Sequence, residues 1–145
     1  MKSHRTRSAR SRGASRPGKL FTLDQANRAL PLVRRVADDI AQQQRVVTAL
    51  ELAAGQEKGG PSKELRHRYH EAVERLRELA DELTEIGCEL KDAAQGLVDF
   101  QAEHAGRVVY LCWRLGEDRI EYWHELHTGF GGRQKVESDF GANPQ

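Results

Sequence analysis

The stretch GLVDFQAEHAGRVVYLCWRLGEDRIEYWHELHTGFGGR, residues 96–133, is where the chain changes from helical to alternating periodicity. It holds both Trp, two of the three Tyr and three of the six His, so the aromatic and chemically versatile side chains gather here and the preceding residues read as scaffold. Leu97-Val98-Asp99-Phe100 predicts a short strand entered through Gly96, and residues 107–115 and 119–126 predict two more, joined at Gly116-Glu117-Asp118. A two-residue turn at that junction fixes the faces. It sets Val109, Leu111, Trp113 and Leu115 beside Ile120, Tyr122, His124 and Leu126. Tyr110, Cys112 and Arg114 then share the opposite face with Glu121, Trp123 and Glu125.

Upstream, two amphipathic helices are expected. Thr22 followed by Gln25 is a capping-box pattern, so a helix starts after Phe21-Thr22. Pro31 predicts a break or kink, because proline removes a helical hydrogen bond. Beyond it Val33, Val36, Ala37, Ile40, Val47, Leu50 and Ala54 keep a helical period as far as Gly55, with Gln44 a polar interruption suited to fixing a helix register. After the Gly/Pro-rich loop 55–62, Ser62 caps a second helix. In it Leu65, Tyr69, Ala72, Leu76, Leu79, Leu83 and Ile86 form an unbroken coiled-coil-like heptad seam ended by Gly87. Segments of matched length across a short loop predict an antiparallel helical hairpin. The fold class expected is therefore α+β: a long antiparallel helical hairpin with a small C-terminal antiparallel β-sheet.

Composition bounds the function. The chain has 145 residues, enough for one domain, which is placed at residues 20–134 with a flexible tail at 135–145. Residues 1–19 carry seven of the 23 cations and none of the 22 acids, so the remainder has a net charge of −6. Such an arm is expected to be disordered, and Arg5, Arg7, Arg10, Arg12 and Arg16 suit it to the phosphates of a nucleic acid or ribosome. No apolar run approaches the roughly 18 residues of a membrane span, and two Cys are too few for a disulfide framework. A cytoplasmic protein without membrane contact is expected.

Candidate chemistry concentrates in residues 96–133. Cys112, His124, His127 and His104 have the donor types of a zinc site, but the turn-based register separates Cys112 from His124. The metal ligands expected on this register are His124 and His127, with Glu117 or Asp99 as the carboxylate. The same register leaves Cys112 without a neighbouring base and so reads it as an inert thiol. Gly129-Phe130-Gly131-Gly132-Arg133 frees backbone amides near a guanidinium, which suits a carboxylate or phosphate. The ligand-binding candidates are thus Asp99, Glu117, His124, His127 and Arg133; no catalytic residue is assigned.

Several short motifs occur in order: Phe21-Thr22-Leu23, Ala26-Asn27, Leu30-Pro31, then Gly96-Leu97-Val98-Asp99-Phe100, Leu111-Cys112-Trp113, Gly116-Glu117, Trp123-His124, and Gly129-Phe130 with Gly132-Arg133-Gln134. By these the chain resembles the bacterial family called domain of unknown function 2203 over residues 20–134. Gln101 stands where that pattern has Pro. The resemblance implies a compact cytosolic bacterial protein and carries no activity.

The leading expectation is a non-enzymatic binding or assembly module, a homo-oligomer formed through the uncovered heptad face of the hairpin. A small-ligand or metal site at the C-terminal sheet, catalytic or not, is the second. Nucleic-acid or ribosome contact through the arm is the third.

Overall fold

The computed structural model describes residues 18–142; residues 1–17, which carry Arg5, Arg7, Arg10, Arg12 and Arg16 of the basic arm expected to contact nucleic acid, lie outside them. Helix α1 spans Leu23–Gln56 and α2 spans Lys63–Ile86. The strands are β1 (Glu89–Asp92), β2 (Leu97–His104), β3 (Arg107–Arg114), β4 (Tyr122–His124) and β5 (Gln134–Lys135), with a 3-10 turn at Phe130–Gly132. They form one antiparallel sheet in the order β1-β2-β3-β4-β5. The architecture is α+β, a helical hairpin followed by a C-terminal sheet. No helix among the described residues is long and apolar enough to cross a membrane.

The start of α1 is fixed locally. Thr22 Oγ1 accepts from the Gln25 amide at 3.0 Å and Gln25 Oε1 accepts from the Thr22 amide at 3.0 Å, so the capping box is complete. Phe21 anchors the same turn to the sheet: its amide donates to the Gln101 carbonyl at 2.7 Å and its ring packs edge-on against Phe100. Thr22→Ala is therefore expected to cost about 1 kcal/mol in a urea titration, with Thr22→Ser close to wild type.

Pro31 does not break α1. The helix runs through it for 34 residues, against the expected break. Proline deletes only its own bond to the preceding turn, and tertiary contacts on both sides compensate. Leu30 and Val33 are buried, while the Asn27 side chain accepts from the Ile120 amide at 2.8 Å and donates to its carbonyl at 3.5 Å. The exposed ring of Pro31 faces solvent. The two helices are consequently unequal, about 51 Å against 36 Å at 1.5 Å per residue.

Gln43 Nε2 donates to the Ala72 carbonyl at 3.0 Å and Tyr69 Oη to Glu51 at 3.1 Å, which sets the hairpin's register and leaves the first turns of α1 for the sheet. Gln44 bonds Thr48 on its own helix. Of the heptad seam, Leu65, Ala72, Leu79 and Leu83 are buried and Tyr69, Leu76 and Ile86 are half-buried.

The sheet departs most from expectation. β2 continues to His104 and turns into β3 through Ala105 and Gly106, both with positive φ (54° and 82°), a two-residue hairpin turn matched to strand twist. Between β3 and β4 lie seven residues, 115–121, not a two-residue turn. The observed pairs are Tyr110 with His124, Leu111 with Trp123 and Cys112 with Tyr122, so even positions face even positions. Val98, Phe100, Ala102, Val109, Leu111, Trp113 and Trp123 form the face that joins the helices in the core. Asp99, Tyr110, Cys112, Tyr122 and His124 lie on the other.

The described part of the segment from residue 135 makes two contacts with the sheet. Val136 donates its amide to the Glu121 carbonyl at 2.8 Å, and the Phe140 ring stacks on His104 with centroids 4.6 Å apart.

Candidate functional site

On the face of the sheet turned away from the helices, polar side chains are expected to be wet. Three are not. Asp99, Cys112 and His124 have relative exposures of 2%, 0% and 2%. β2, β3 and β4 contribute one each: Asp99 stands directly opposite Cys112, and His124 lies one diagonal step away. Their donor atoms all lie within 4.8 Å of one another.

The geometry constrains the protons. His124 Nδ1 is 2.7 Å from the Glu125 carbonyl, which can only accept, so Nδ1 carries a hydrogen. His124 Nε2 is 3.0 Å from Asp99 Oδ2, and that bond needs one further proton, on the carboxyl or on the ring. Asp99 Oδ1 is buried with no hydrogen-bond partner. Burial raises the Asp99 carboxyl above its usual range, against the opposing charge of His124 and the Cys112 thiol. Burial and the Asp99 charge push the Cys112 thiol up to about 12, with Arg133 pulling the other way. Both nitrogens of His124 are committed, so the imidazole has none free to take the thiol proton. Nucleophilic activation of Cys112 is not what this arrangement provides.

A second pair closes one side. Arg133 donates from Nη1 to Glu117 Oε2 and from Nη2 to Glu117 Oε1, both at 2.8 Å, and Nη2 also reaches the Cys112 carbonyl at 3.2 Å. Burial opposes the Glu117 charge, but Arg133 and the Arg114 amide outweigh it and hold the carboxyl below its usual range. The guanidinium lies 4.2 Å from the Tyr122 ring centroid and 4.5 Å from that of Phe130. The glycine turn aims it there: Gly132 sits so close to Thr128 that a Cβ would stand 2.4 Å from the threonine's own. On the other side Tyr110 covers His124, with ring centroids 5.4 Å apart, and donates to Glu89 at 2.9 Å.

The five expected ligand-binding residues therefore divide. Asp99 and His124 meet, Glu117 and Arg133 form a separate ion pair, and His127 is exposed in the turn after β4. The side chain beside His124 is Cys112, which the two-residue turn had set on the opposite face, because the seven-residue connection shifts the register by one. A sequence signal for this existed in Trp113 and Trp123. Both are large apolar side chains that need the core face, and placing both there forces the observed parity.

Residues 19–136 match the family described as an uncharacterized conserved protein, DUF2203. The chain belongs to this family. No curated protein and no solved structure matches it. The match covers both helices and all five strands, so the buried trio and the Arg133–Glu117 pair lie inside the family domain.

Proposed function

We propose that this chain is a non-enzymatic metal-binding module that holds a divalent ion of the zinc class on Asp99, Cys112 and His124. One observation carries the reading: three donor side chains of mixed sulfur, nitrogen and oxygen type converge within 4.8 Å in a buried place, and Asp99 Oδ1 has no partner there.

The donor chemistry supports it. Thiolate, imidazole and carboxylate suit zinc, whose ligands at about 2.0–2.3 Å from a common ion stand roughly 3.3–3.7 Å apart in tetrahedral geometry, so the widest pair has to close by about 1 Å. His124 already donates its far nitrogen to a carbonyl, the usual outer contact of a metal-bound imidazole. Charge balances as well. A divalent ion replaces the proton shared by Asp99 and His124 and the proton on Cys112, while Arg133 is neutralised by Glu117. Asp99 Oδ1 is available to complete four-fold coordination through a bidentate carboxylate. An ion held this way would tie β2, β3 and β4 together at the centre of the sheet.

Metal titration tests this. Chelator-stripped protein is expected to take up one zinc or cobalt(II) per chain, with a sulfur-to-cobalt charge-transfer band, and Cys112→Ser and Asp99→Asn are expected to lose stoichiometric uptake. Uptake below one equivalent by elemental analysis, or cobalt bound without the band, overturns the assignment.

A further inference from the structure

The Arg133 guanidinium is held on almost every side. Nη1 and Nη2 are taken by Glu117, Nη2 also by the Cys112 carbonyl, and its ring-facing contacts are Tyr122 and Phe130. Of its three nitrogens only Nε, which is buried, makes no hydrogen bond; Nη1 gives one of its two hydrogens to Glu117. A buried N–H without an acceptor costs about 1–3 kcal/mol, so its retention points to an acceptor that another state of the site supplies.

Cys112 supplies one. Arg133 Nη2 donates to this residue's carbonyl at 3.2 Å, and the guanidinium charge acts on its thiol. A neutral S–H is a weak acceptor, whereas a thiolate accepts strongly. Glu117 takes the bidentate edge of the guanidinium, the edge that a free carboxylate or phosphate would otherwise use.

Resting on the metal-binding reading above, we propose that Arg133 is a positioning residue for the metal-bound thiolate: Nε–H donates to the sulfur of Cys112, and Glu117 fixes the guanidinium so that its charge does not oppose the ion. The tetrad Asp99, Cys112, His124 and Arg133 then has a partner for each of the two buried atoms now without one. Asp99 Oδ1 meets the metal and Arg133 Nε meets the sulfur.

Cobalt(II) titration of the full chain separates the two claims. Removing an N–H donor from a metal-bound thiolate raises the energy of the sulfur electrons, so Arg133→Gln is expected to shift the charge-transfer band to lower energy and weaken cobalt binding by about 10–100-fold. Glu117→Gln, which keeps Arg133 but loosens it, is expected to shift the band in the same direction by less; it serves as the readout if Arg133→Gln fails to fold. Arg133→Lys keeps the positive charge without the planar Nε–H and is expected to leave the band displaced. An unchanged band and affinity in Arg133→Gln, or in Glu117→Gln where only that variant folds, overturns the role of Arg133 while the metal site stands. Absence of any charge-transfer band in the wild-type protein overturns both.

Discussion

His124→Ala is expected to lower the stability of the metal-free protein by about 3–5 kcal/mol, measured by urea denaturation after chelator treatment. The size follows from what the substitution leaves behind. Asp99 Oδ1 already lacks a partner, and without the imidazole its other oxygen loses its 3.0 Å bond while still excluded from water. The Glu125 carbonyl loses its shortest contact at the same time but keeps the Thr128 amide and hydroxyl, both at 3.3 Å. Replacing both members by apolar residues removes the groups that need partners, so Asp99→Leu/His124→Met is expected to cost far less than the two single changes summed. Additive losses would mean that the two side chains are not coupled. On the metal-binding reading, zinc is expected to stabilise the folded wild type by mass action and to leave either variant unchanged, so the gap should widen when the metal is returned.

Trp113→Ala is expected to cost about 3–5 kcal/mol as well, for a different reason. Trp113 is the largest fully buried side chain, facing Val98 across the β2–β3 ladder. Its loss leaves a cavity that neighbouring strands cannot close. Trp113 Nε1 also donates to the Glu117 carbonyl at 3.0 Å, pinning the connection that carries the partner of Arg133. Metal affinity is therefore expected to fall together with stability. Ile40→Ala, in the same core but on α1, is expected to destabilise by about 2–5 kcal/mol with metal affinity unchanged. Equal metal affinity in both variants would show that the connection does not support the site.

The helices were legible because their signals are local. Thr22 with Gln25, Ser62, the heptad from Leu65 to Ile86 and the left-handed Gly87 each act within a turn or two of the chain, and each is found where the spacing placed it. Pro31 was misread because a proline's effect depends on what holds its neighbours, and Asn27 reaches Ile120 across 93 residues to do so. β2 was read too short because Ala105-Gly106 lacks the Asn or Asp that marks most two-residue turns, although both residues adopt the required positive φ. Of the site, residue type alone marks Asp99 and His124 as candidates, and one step of register separates Cys112 from His124 in a two-residue-turn pairing.

By itself the sequence determined the class: two amphipathic helices, then alternating strands, in an order that folds as a hairpin against a sheet. Only the tertiary structure decided which face each strand residue takes. Side-chain parity depends on where the chain re-enters the ladder after residues 115–121, and that point is fixed by distant contacts. Ile120 is buried and bonded to Asn27, and Asp118 offers its carbonyl to Arg34. Those long-range contacts bring His124 round to the Asp99–Cys112 pair that the β2–β3 hairpin forms.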